Sequence, residues 1–159
     1  MGRSRGGFST KLHLTCERHG RILSVALTAG QASDLEGVFP ALEAVRVQGP
    51  RGRPRQRPDV LVSDKAYSFG PVRRWARAHH VRAVLPCRAD QPLANARCRA
   101  RFDKELYRQR NIIESSVGHL KEPRAIGTRY DTLAVNYVAM VQVALIHSCL
   151  RHLHPSDRA

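Results

Sequence analysis

The run "DVLVSDKAY", residues 59–67, constrains the fold of this chain more than any other stretch. Val60, Leu61 and Val62 are consecutive apolar residues that stop just short of Asp64. This is the pattern of a strand buried on both faces, not of one alternating between core and water. Such a strand needs covering layers above and below it, which predicts a layered α/β domain.

The flanking segments supply those layers. In "STKLHLTCE", Leu12, Leu14 and Cys16 alternate with Lys11, His13 and Thr15, and "RILSVALTAG" alternates around Leu23, Val25 and Leu27. These read as two half-buried strands joined by the Gly-containing turn "ERHGR" into an antiparallel hairpin. Ser33 and Glu36 fit a capping box that opens a helix, which Pro40 is expected to distort. "GPRGRPRQRP", residues 49–58, breaks all regular structure and reads as an exposed basic loop. "GPVRRWARAHHV" predicts a helix and "RAVLPC" a short strand closed by Pro86. Residues 88–102 have no period and form a second basic loop. Asp103 then caps a helix, with Phe102 and Tyr107 placed as a hydrophobic staple, and Pro123 ends or kinks it. A last helix, residues 132–153, is apolar on most sides. The 159 residues suit one domain with a real core.

Charge narrows the partners. Twenty-seven basic against 13 acidic side chains leave a net +14. Four of the 27 are lysines, so 23 are arginines, whose planar forks pair bidentately with phosphate. A polyanion, nucleic acid in particular, is the expected partner, although an arginine excess can also reflect a GC-rich genome. Cys16, Cys87, Cys98 and Cys149 form no C-x-x-C pair, so neither a zinc knuckle nor a disulfide framework is expected, and a reducing cytoplasm fits. "MGRSRGGFST" lacks the apolar core of a signal peptide. Asn136, Gln142 and His147 interrupt "LAVNYVAMVQVALIHSCL", which reads as a buried core helix and not a membrane span. Of the histidines, His79, His80, His119, His147, His152 and His154 show no ligand spacing.

In "YRQRNIIESSVGHLK", residues 107–121, Tyr107, Arg110, Glu114 and Lys121 fall within an arc of about 60° on a helix. This polar stripe borders an apolar one made by Leu106, Ile113, Val117 and Leu120. A carboxylate at that border, flanked by cations, stays ionised and suits a metal ligand, while the same spacing also describes an ordinary solvated helix face. Asp64 ends a buried strand, where open α/β sheets gather functional groups, and equally fits a turn or cap aspartate. Together Asp64 and Glu114 could share a divalent cation such as magnesium, with the basic loops holding phosphates.

Tyr-x2-Arg-x3-Glu-x6-Lys, met without a gap by Tyr107, Arg110, Glu114 and Lys121, resembles the signature of DDE transposases from bacterial insertion sequences. The phrases "GRSRGGFSTKLHL", "LTAGQASD", "VSDKAYS", "ELYRQRNIIE" and "TRYDTLAVNY" are similar to the insertion-sequence family numbered five. The resemblance implies a ribonuclease-H-like mixed sheet flanked by helices. It also implies two aspartates and a glutamate binding two Mg2+ (or Mn2+) ions to cut DNA at element ends and join it to a target. By position, Asp64 would be the second aspartate and Glu114 the glutamate. Tyr107, Arg110 and Lys121 would contact or orient DNA, with Lys65 and Tyr67 as weaker candidates.

In that family the first aspartate lies on a strand preceding "GRSRGGFSTK", and the first sixteen residues here contain no acid. Glu17 at the hairpin turn and Asp34 at a helix start do not replace it. The expectation is a partial catalytic domain lacking its first strand, from a truncated transposase or the downstream half of a frameshifted product. Weak metal binding, little strand transfer by this chain alone, and exposed sheet edges that invite self-association or pairing with the upstream product would follow. Pro123 also departs from the pattern, since relatives continue that helix with an aromatic residue. Two other readings are a non-catalytic basic nucleic-acid-binding remnant and a different ribonuclease-H-like nuclease. In every case the place of action would be the bacterial cytoplasm at the nucleoid.

Overall fold

The computed structural model describes residues 2–4, 7–87, 102–128 and 132–153. The expected basic loop 88–102 therefore lies, apart from Phe102, outside the described residues. The alternating segments form strands β2, Gly7–Cys16, and β3, Ile22–Ala29, paired antiparallel with Leu12 opposite Leu27 and Leu14 opposite Val25. Gly20, at φ +84°, turns the chain between them in a conformation that side chains disfavour. A short strand β1, Gly2–Ser4, adds to the edge of β2 and gives a three-stranded sheet.

Both faces of this sheet are covered. Leu12, Leu14, Ile22, Val25 and Leu27 pack against a core of Leu120, Ile126, Tyr137 and Val141. The opposite face, which the sequence pattern assigns to water, lies under helix α1, Asp34–Glu43. His13 and Ser24 are buried there. The Ser24 hydroxyl donates to the Ala41 carbonyl at 2.6 Å and lies 2.6 Å from the Thr15 hydroxyl, so the buried polar groups are paired. α1 has the expected capping box of Ser33 and Glu36 and runs unbroken across Pro40.

β4, Val60–Val62, pairs in parallel with β5, Arg82–Val84, as a separate two-stranded sheet. The expected central strand is thus paired on one side among the described residues, and its three residues are half-buried. The single mixed sheet expected from the sequence is here two small sheets, and the fold class is mixed α/β. Helix α2, Gly70–Ala78, packs on β5 and buries Val72 and Ala76.

The expected helix of residues 104–121 is two: α3, Lys104–Arg108, and α4, Asn111–Lys121. Asp103 caps α3 by accepting from the Leu106 amide at 2.9 Å, and the Phe102 and Tyr107 rings lie 5.0 Å apart as the staple requires. Pro123 ends α4 and opens the short helix α5, Arg124–Gly127.

Helix α6, Ala134–Leu153, departs most from expectation. Tyr137 and Val141 reach the core, but Leu133 just before the helix and Val135, Val143, Ile146, Leu150 and Leu153 within it are more than half exposed. The stretch Ala134–Arg151 is long and apolar enough to cross a membrane by length and composition, and 11 % of it is buried, so it is no buried core helix. Cys16 and Cys149 are free thiols.

Candidate active site and nucleic-acid surface

Asp64 stands one residue beyond β4, after Ser63, and caps a single 3-10 turn, Lys65–Tyr67. Its Oδ1 accepts from the Ala66 amide at 2.9 Å and the Tyr67 amide at 3.3 Å. That capping bond fixes the carboxylate at the strand end. Lys65 leaves the same turn fully exposed, with its ammonium unpaired among the described residues.

Tyr67 points back across the structure. Its hydroxyl lies 3.1 Å from His13 Nδ1, and His13 Nε2 lies 2.8 Å from the Thr28 hydroxyl. Burial, reinforced by the Asp34 and Asp64 carboxylates, pushes the Tyr67 phenol up to about 12. His13 is held below the usual imidazole range, chiefly by burial; nearby Asp34 opposes this and Lys11 adds to it. Lys11 donates to Asp34 at 2.9 Å and to the Ala32 carbonyl at 2.7 Å, which closes the rim of this polar layer. No local pattern announces the His13–Tyr67 link, because the two residues stand 54 positions apart. The one available signal was a histidine on a strand whose neighbours are apolar.

The second group of candidates lies on α3 and α4. Arg110 keeps helical angles between the two helices, and so the stripe survives the break. Its guanidinium is 2.7 Å from a Glu114 oxygen and 5.7 Å from the centre of the Tyr107 ring. Tyr107, Arg110 and Glu114 are therefore one connected unit, held by an ion pair and a cation–π contact. Lys121 ends α4, exposed and outside that unit. α4 itself packs on β2 and α6, while Asp64 sits at the end of β4 beside α1.

The model of the transposase DDE domain family matches residues 2–149, and the chain belongs to that family. It is 25 % identical over 158 residues to the candidate transposase of insertion sequence element IS402 from Burkholderia cepacia. The match covers 99 % of this chain and 69 % of that protein. No solved structure matches the chain.

Transposases of this kind bind DNA, and their DDE domains use divalent metal ions. The donor set here does not make a cage for one. Among the described residues no group of three or more His, Cys, Asp or Glu side chains gathers to hold an ion. One Asp64 oxygen is taken by two amides, and Glu114 is paired with Arg110.

Proposed function

We propose that this chain contributes to the DNA-cleaving and strand-transferring core of an insertion-sequence transposase, of the group numbered five, built on ribonuclease-H-like layers. In this reading residues 1–159 are part of one catalytic domain. Asp64 and Glu114 are two of its carboxylate ligands for Mg2+ or Mn2+, and Tyr107, Arg110, Lys121 and Lys65 lie against DNA at the element ends and target. The observation that carries it is the Tyr107–Arg110–Glu114 unit. Three of the four residues that share the family spacing touch one another.

With no group of three such ligands gathered among the described residues, the chain alone binds the ion weakly and transfers little or no DNA strand. A second copy, or the product of an upstream reading frame, would complete it. A bacterial cytoplasmic, nucleoid-associated location follows from the substrate. The same shortage of ligands favours, as a second reading, a basic DNA-binding remnant without catalysis.

Incubating the purified chain with labelled DNA and Mg2+ or Mn2+ tests both. The expected result is binding that weakens as salt rises, without cleavage. Cleavage that Glu114→Gln abolishes would show the chain to be self-sufficient, and affinity insensitive to salt would sink the phosphate contacts.

A further inference from the structure

Between α1 and β4 the chain makes a loop that the Asp64 and Glu114 sites do not use. Val47 and Arg55 close it by two backbone hydrogen bonds, at 2.9 Å and 2.8 Å. Arg55 is pinned at this base by an ion pair with Asp59 and by donating to the Arg57 carbonyl at 3.0 Å. The seven residues 48–54 project from the closure, and every side chain from Pro50 to Pro54 is exposed. Arg51 and Arg53 have no partner among the described residues, and no acid occurs from residue 44 to 58.

The tip reads Pro50-Arg51-Gly52-Arg53-Pro54. Gly52 has φ +88°, and a Cβ built on it would meet nothing within 4 Å. The glycine therefore serves the backbone turn and leaves a position without a side chain between two exposed arginines. Prolines on both sides restrict the chain before binding, which lowers the entropy lost on docking.

This tip selects a ligand. The minor groove of B-DNA is about 6 Å wide, too tight for a helix but open to a backbone that carries no side chain at its deepest point. Its floor is most negative and narrowest along A·T tracts, where arginine is drawn in. The guanine N2 amino group would obstruct the same seat in G·C pairs. We propose that residues 50–54 insert into the minor groove of A·T-rich duplex DNA, with Gly52 on the groove floor and Arg51 and Arg53 lying along it. This rests on the reading of the chain as a DNA-binding protein, and adds to it a preference that the carboxylate sites would not confer.

Fluorescence anisotropy on the full chain with three duplexes of equal length, built from A·T, G·C and inosine·C pairs, separates the two ideas. Inosine·C lacks the N2 amino group but keeps the major-groove face of G·C. The expected order is A·T and inosine·C bound about tenfold tighter than G·C. In Arg51→Lys/Arg53→Lys, which keeps the charge on an exposed loop, that preference should vanish while G·C affinity stays. Equal binding of all three, or inosine·C behaving as G·C, overturns the minor-groove assignment and leaves the transposase reading intact. No binding to any duplex overturns both.

Discussion

His13 Nδ1 and the Tyr67 hydroxyl lie 3.1 Å apart, joining the second strand of the antiparallel sheet to the turn that follows Asp64. Nothing in the backbone pairing connects those two parts, because β2 and β4 belong to different sheets. The position of the Asp64 turn is thus set partly by an imidazole on a neighbouring layer, and that layer is closed by α1.

Gly37 is what lets α1 approach. A Cβ there would sit 2.0 Å from His13 Cδ2 and 2.3 Å from Cγ. Gly37→Ala should therefore cost about 1–3 kcal/mol, the range for forcing an extra methyl into a packed interior. Urea denaturation of the variant reads this directly, and an unchanged midpoint would mean that the helix shifts without cost.

Acid should loosen the same layer. His13 is held below its usual range chiefly by burial, so as pH falls through about 6.5 the unfolded chain takes up a proton that the folded chain still refuses. The unfolded state then binds more protons, and stability falls as pH drops below the unfolded value. Urea midpoints at pH 7.5 and 5.5 should differ in wild type and converge in His13→Gln. Asp34 and Lys11 face His13 from α1 and β2 and are paired with each other at 2.9 Å.

At the alkaline end the sign reverses. With its phenol pushed up to about 12, Tyr67 stays protonated in the fold after unfolded tyrosines ionise near pH 10. Stability is complete below about pH 10 and is lost as pH climbs towards 12. Absorbance at the tyrosinate band should show a late-titrating phase that Tyr67→Phe removes.

Glu114→Gln should barely affect folding. The Arg110–Glu114 pair is 28 % and 55 % exposed on its two side chains, and exposed pairs of this spacing contribute at most about 1 kcal/mol. A thermal midpoint within a few degrees of wild type is expected. A collapse of stability would make this glutamate a structural residue and not a candidate ligand.

Helix α6 should drive self-association. Val143 and Ile146 are each more than 60 % exposed on a helix whose only formal charge up to residue 151 is Arg151. Sedimentation velocity should show heavier species as concentration rises, and Val143→Glu with Ile146→Glu should return the chain to monomer.

The local signals in the sequence were good guides wherever a few adjacent residues settle the structure. Ser33 with Glu36, Asp103 with its staple, the Gly20 turn and the Leu12/Leu14 alternation each need only near neighbours. The failures share a different cause. Whether the His13 face meets water or α1 depends on Gly37, 24 positions away, and whether β4 is central depends on which strands reach its edges. The break between α3 and α4 has no glycine or proline to announce it. For the site, spacing revealed the Tyr107–Arg110–Glu114 stripe because one helical period holds it together. The link from Asp64 through Tyr67 to His13 stayed hidden because it crosses layers.

Ser116, on the same helix as Glu114, lies 2.8 Å from the carbonyl oxygens of both Ile112 and Gly20, so its single proton is shared between its own turn and the hairpin. The second of these partners is 96 residues away in the chain. The hairpin can close as soon as it leaves the ribosome, but the clasp that seats the glutamate-bearing helix must wait until the chain has grown 96 residues beyond Gly20. Assembly of this surface is thus a late event in the life of each molecule, and the strands emerge first, with their apolar face still uncovered.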